Sequence, residues 1–120
     1  DVTHQVLASR ERIANIRAID TAPAQATAGM LEFFSRYDSE KYGTDGAPLH
    51  DPCTIAFLLA PELFKAKACN IEIETESPLT LGHTAVDFWG VSGRAVNTEW
   101  VYKVDADGFY ELLNKQLASY

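Results

Sequence analysis

The sequence predicts an α/β chain, helices with a few short strands, and three observations carry that prediction. Apolar residues recur at helical spacing through Met30, Leu31, Phe33, Phe34 and Tyr37, and again through Phe109, Leu112, Leu113 and Leu117. Cys69-Asn70-Ile71-Glu72-Ile73-Glu74-Thr75 alternates with period two, as a half-exposed strand does. Between them, Ile55-Ala56-Phe57-Leu58-Leu59-Ala60 is apolar on every side, which is the pattern of a helix buried all round.

The elements follow in chain order. Val2 to Leu7 reads as the tail of a short strand leaving through Thr3-His4-Gln5. Ser9 caps a helix over residues 10–18, with Glu11 in the first turn, where a negative charge suits the helix dipole. Thr21-Ala22-Pro23 opens a second helix whose stripe places Phe33 in the core, and Gly43 ends it as a C-cap. A loop containing Asp45-Gly46 and Pro48 then delivers Leu49-His50-Asp51-Pro52 into the apolar helix. Here Asp51 suits the N-cap and Pro52 the first helical position. Pro61 stops that helix. Residues 83–89 and 100–104 are further strand candidates, and Asp105 or Asp107 caps a terminal amphipathic helix. Helices that are apolar all round need partners on several sides, and so few strands supply little sheet. The chain therefore reads as the lateral part of a larger α/β domain, or as one that pairs with another chain.

Composition narrows the function classes. At 120 residues the chain fits a single domain, and 47% hydrophobic with 22% charged residues is ordinary for a globular protein. No run of eighteen apolar residues exists, so neither a membrane span nor a membrane partner is expected. A net charge of −7, with basic residues scattered, argues against nucleic acid as a partner. Cys53 and Cys69 form no CxxC pair and lie in apolar or strand-like contexts, so they read as reduced buried thiols and point to the cytoplasm. A start on Asp1-Val2-Thr3-His4, without Met or a basic and apolar leader, is expected of a mature or truncated product.

His50 and Asp51 are the candidates for chemistry. His50 can carry a proton near neutral pH, and Asp51 offers hard oxygen ligands. From the dipeptide alone, a cap with a backbone-bonded histidine and a reactive pair both remain open. A metal-dependent phosphohydrolase would need further histidines at helical spacing, and His4 and His83 do not provide them. His83 reads as a structural histidine in a strand. His4 follows a strand end, where ligand loops gather in α/β sheets. Tyr42 is open between core packing and a cover over a ligand.

The run Gly46-Ala47-Pro48-Leu49-His50-Asp51-Pro52, followed by the apolar helix and Pro61-Glu62-Leu63-Phe64, resembles the C-terminal part of the inosine–uridine preferring nucleoside hydrolases. The similarity continues through Ile71-Glu72-Ile73-Glu74-Thr75, residues 79–87, the ending Val104-Asp105-Ala106-Asp107-Gly108-Phe109, and upstream through Asp1-Val2-Thr3-His4-Gln5. It implies residues 1–120 as one C-terminal segment of a nucleoside-hydrolase-like, Rossmann-like fold. It also implies hydrolysis of the N-glycosidic bond of purine or pyrimidine nucleosides to ribose and free base, in nucleoside salvage, by a homo-oligomer. By the same resemblance His50 is the acid or hydrogen-bond donor to the leaving base, and Asp51 a ligand of a Ca2+ that activates water. Tyr42 and Asp38 belong to a helix over the base. The family's aspartate-rich N-terminal loop, with most calcium ligands and the base, is absent, so the chain alone is expected to be inactive. The alternative is a non-catalytic interaction or assembly module that keeps the fold.

Overall fold

The computed structural model describes the backbone of residues 2–43 and 45–120, with their side chains apart from those of residues 37–42. Helices α1 (Arg10–Arg17), α2 (Ala22–Tyr42), α3 (His50–Leu59) and α4 (Ala106–Leu117) accompany strands β1 (Phe64–Ile73), β2 (Thr84–Asp87) and β3 (Thr98–Val104). Short 3-10 turns lie at Thr3–Gln5 and Pro61–Leu63. The chain divides into two compact units, Asp1–Phe64 with Lys103–Tyr120, and Lys65–Tyr102.

Local rules set the helix ends of the first unit. Ser9 Oγ accepts from the Arg12 amide at 3.3 Å and starts α1. Thr21 Oγ1 accepts from the Ala24 amide at 3.3 Å and donates to the Leu117 carbonyl at 2.8 Å, so one hydroxyl opens α2 and closes α4. Asp105, rather than Asp107, caps α4, accepting from the Gly108 amide at 3.1 Å. Asp107 instead pairs with Arg12 at 2.7 Å. The Arg12 guanidinium also donates to the Leu7 carbonyl at 3.0 Å and lies 4.5 Å over the Tyr110 ring, which ties α1 to α4. Gly43 has φ +65° where α2 ends, the left-handed cap its position implied.

Three expectations change. Val2 to Leu7 is not the tail of a strand: a 3-10 turn is closed by Gln5 N–H to Val2 C=O at 3.1 Å and Val6 N–H to Thr3 C=O at 3.0 Å, and only a bridge from Leu7 to Pro48 stays extended. Phe33 is 75% exposed and is not core, because α2 buries its alanines Ala24 and Ala28 instead. Small residues there let the helices approach closely, and the aromatic face is left outward. In α3 only Cys53 and Ala56 are buried, while Leu58 is 77% exposed, so the all-apolar helix is not buried by this chain. Between α3 and α4 runs a groove of about 580 Å³ walled by Pro52, Ile55, Leu59, Phe109, Leu112 and Leu113.

In the second unit the strand order is β2-β1-β3, and β1 pairs antiparallel with β2 through Asn70–Asp87 and Ile73–Thr84. The Asn97 side chain bonds both backbone groups of Ile71 at 2.9 Å. Lys67 Nζ sits 4.3 Å over the Phe88 ring, and Phe88 meets Trp89 and Tyr102 edge to face. The Asp87 carboxylate accepts from the Ser92 hydroxyl and from the Ser92 and Val91 amides, which holds its pKa below the usual carboxylate value.

Cys53 and Cys69 are free and buried, as the sequence implied. Cys53 Sγ donates to the Leu49 carbonyl at 2.9 Å, and burial pushes its thiol pKa up. Tyr110 is 5% exposed and its hydroxyl has no hydrogen-bond partner among the described residues. Burial pushes its pKa up to about 12, partly opposed by Arg12. The folded value lies above that of an unfolded tyrosine, so stability is intact below about pH 10 and is lost as pH rises toward 12. An ultraviolet titration should show a tyrosine step near pH 12, and Tyr110→Phe should abolish it. A titration unchanged by Tyr110→Phe above about pH 11 would contradict this placement.

Candidate active site at the entrance of α3

The site is assembled by a short antiparallel pairing between two segments some forty residues apart. The Ala8 amide donates to the Ala47 carbonyl at 2.9 Å and the Leu49 amide to the Val6 carbonyl at 3.0 Å, around the Leu7–Pro48 bridge. Val6, Ala8, Ala47 and Leu49 are all buried, so the pairing is fixed by packing as well as by hydrogen bonds. Gly46 enters it at φ +107°, and a Cβ there would lie 2.1 Å from the Ala8 carbonyl oxygen. Only glycine fits that approach.

This pairing lays the Thr3–Gln5 turn beside the first residue of α3. Thr3 Oγ1 and His50 Nδ1 are 2.6 Å apart, and the His4 ring stands 5.4 Å from the His50 ring, tilted 58°. His50 is exposed at this helix entrance. His4, a secondary candidate from sequence, is thus part of the same cluster. Thr3 was missed, because a hydroxyl that meets an imidazole across 47 positions leaves no local signal.

The helix begins two residues earlier than the sequence implied. Leu49 is the N-cap, with no side-chain bond, so Asp51 is not the cap and Pro52 stands third rather than first. Asp51 still places negative charge in the first turn, and Pro52 still falls where an N–H has no intrahelical partner. Asp51 is exposed at the edge of the apolar groove. Asp38 and Tyr42 fall on the last turns of α2, but their side chains lie outside the described residues. His83 lies outside β2, exposed in the turn that leads into it. Its amide donates to the Thr80 carbonyl at 2.9 Å.

A calcium ion takes six to eight oxygens. Asp51 offers one exposed carboxylate, and among the described residues no three of His, Cys, Asp and Glu converge. This donor set does not fit the ion by itself.

Comparison with known proteins gives the arrangement its context. The sequence profile of the inosine-uridine preferring nucleoside hydrolases matches residues 1–111. The chain belongs to that family. It is 48% identical over 121 residues to the pyrimidine-specific ribonucleoside hydrolase RihA of Shewanella oneidensis, a match that takes in 100% of this chain and 38% of that protein. RihA of Photobacterium profundum is 46% identical, with 39% of its length covered. The chain therefore spans under two-fifths of these curated relatives. That share, rather than a place at the C-terminal end, is what the comparison establishes. The fold is that of the family as well. A purine-preferring ribonucleoside hydrolase from Gardnerella vaginalis superposes with TM-score 0.80 at 23% identity, over 98% of this chain and 37% of that one. The plant nucleoside hydrolase PpNRh1 superposes with TM-score 0.83 at 19% identity, over 99% and 39%.

Proposed function

We propose that this chain is one portion of a ribonucleoside hydrolase, and that it brings His50 to the departing base. The observation that carries the reading is an exposed imidazole held through Nδ1 at a helix entrance, within a family match over residues 1–111. In the reaction the bond from ribose C1′ to the base nitrogen breaks, a water oxygen bonds to C1′, and a proton must reach the base. The transition state is oxocarbenium-like, so the base leaves as it gains electrons, and a donor on its nitrogen lowers the barrier. His50 is placed to be that donor. Pyrimidine nucleosides are the favoured substrates, by likeness to the RihA proteins.

Asp51 would supply one carboxylate ligand of a Ca2+ ion whose other ligands lie outside this chain, and such an ion would lower the pKa of a bound water. Asp38 and Tyr42 stand on the helix that covers the base. The remainder of the enzyme also covers the apolar face of α3 and the groove beside it. A ribose presents hydroxyls and would waste those apolar walls, whereas packed protein uses them. The same reading makes the enzyme a cytoplasmic homo-oligomer in nucleoside salvage.

The test compares the intact enzyme with the 120-residue chain. The intact enzyme should release ribose and base from uridine or inosine, and the chain alone should release neither. An intact enzyme inert toward every nucleoside would leave a non-catalytic module in place of this reading. Enzymatic turnover by the chain alone would overturn the claim that its site is incomplete.

A further inference from the structure

We infer that Thr3 is a positioning residue for His50: its hydroxyl donates to Nδ1, fixes the neutral ring as the Nε2–H tautomer, and leaves Nε2–H for the leaving base. The inference rests on the reading of His50 as donor to that base. It starts from the 2.6 Å separation of Thr3 Oγ1 and His50 Nδ1. A neutral imidazole has one donor nitrogen and one acceptor nitrogen, so the partner at Nδ1 decides what Nε2 can do. Were Nδ1 the donor to Thr3, Nε2 would carry a lone pair and give a departing base nothing. With the hydroxyl donating, Nε2 keeps its proton while the ring stays neutral, so His50 meets the departing base as a hydrogen-bond donor, and the proton the base finally takes up is the one released by the attacking water.

The surroundings suit that role. Threonine is stiff at χ1, so its hydroxyl direction is set once the backbone is set. The backbone is set on both sides: the Thr3 carbonyl accepts from Val6 at 3.0 Å, and the Val6 carbonyl accepts from Leu49, the residue before His50, at 3.0 Å. Val6 is fully buried. The threonine and the histidine it holds therefore ride on one packed pairing, and the His4 ring, 5.4 Å away, limits the His50 ring on another side.

Thr3→Val keeps the shape and removes the hydroxyl. In the intact enzyme kcat for uridine should fall about tenfold with KM nearly unchanged, and Thr3→Ser should recover most of it. Nitrogen-15 spectra at alkaline pH should show the His50 ring of the unaltered enzyme as the Nε2–H tautomer, and a mixture of tautomers in Thr3→Val. An unaltered enzyme with the Nδ1–H tautomer would overturn the inference without any variant. So would a Thr3→Val enzyme with wild-type kcat and spectrum. If His50→Gln leaves turnover unchanged, it is the donor reading that fails, while the spectra still decide what Thr3 does to the ring.

Discussion

Replacing Gly46 with alanine should lower the thermal transition of the intact enzyme by roughly 4–5 °C, the shift that about 3 kcal/mol produces in a protein of which this chain is about 38%. The cause is local. At φ +107° an added Cβ would stand 2.1 Å from the Ala8 carbonyl oxygen, 2.5 Å from its carbon and 2.9 Å from the Ser9 nitrogen. All three are backbone atoms, so no side chain can swing aside to relieve them. Relief requires the 46–49 segment to pull away from Val6 and Ala8, which breaks the bonds that bring Thr3 to His50. Backbone strain and overpacking each cost about 1–3 kcal/mol. Gly43 is the control: its φ is +65° but nothing lies within 4 Å of an added Cβ, so Gly43→Ala should cost about 1 kcal/mol. Equal melting of the two variants would show that the pairing does not hold the site.

His50→Gln should lower kcat for uridine by about 10²–10³-fold, the range that losing one fixed donor to a developing charge costs, with a far smaller change in KM. Glutamine keeps an amide but lacks the ring nitrogen that Thr3 holds, so no N–H is fixed where Nε2–H stood. The substitution is on an exposed residue, and none of the core contacts of α3 depends on it. The melting temperature should therefore stay close to that of the unaltered enzyme, which separates this variant from Gly46→Ala. The loss is one of chemistry rather than of folding.

Much of the framework was legible from local rules. Ser9, Asp105 and Gly43 act at helix ends by hydrogen bonds or dihedrals that reach only three or four residues, so the chain around them suffices to read them. The strand at Cys69–Thr75 was legible for the same reason, although β1 begins earlier, at Phe64. What escaped was long-range. The 3-10 turn at Thr3–Gln5 depends on the pairing with Ala47–Leu49, and the Thr3–His50 bond is a by-product of it. Burial failed in the opposite sense. Ile55, Leu58 and Phe33 carry core patterns yet are exposed, because a helix states how much surface it must hide and not which chain hides it. The chain covers 38% of the Shewanella oneidensis relative, and on the proposed reading the rest of the enzyme hides these faces. The catalytic candidate His50 was legible only through its neighbours in sequence, whereas its hydroxyl partner was legible only in the fold.

The measurement that bears most directly on the role of His50 compares two leaving groups in the intact enzyme. Uridine must expel a poor base that needs a proton, whereas 4-nitrophenyl riboside expels a stable phenolate that does not. If His50 serves the leaving base, His50→Gln should lose about 10²-fold or more on uridine and less than about threefold on the nitrophenyl riboside. An equal loss on both substrates would contradict the account, since His50 would then act on the ribose, the water or the fold and not on the departing base.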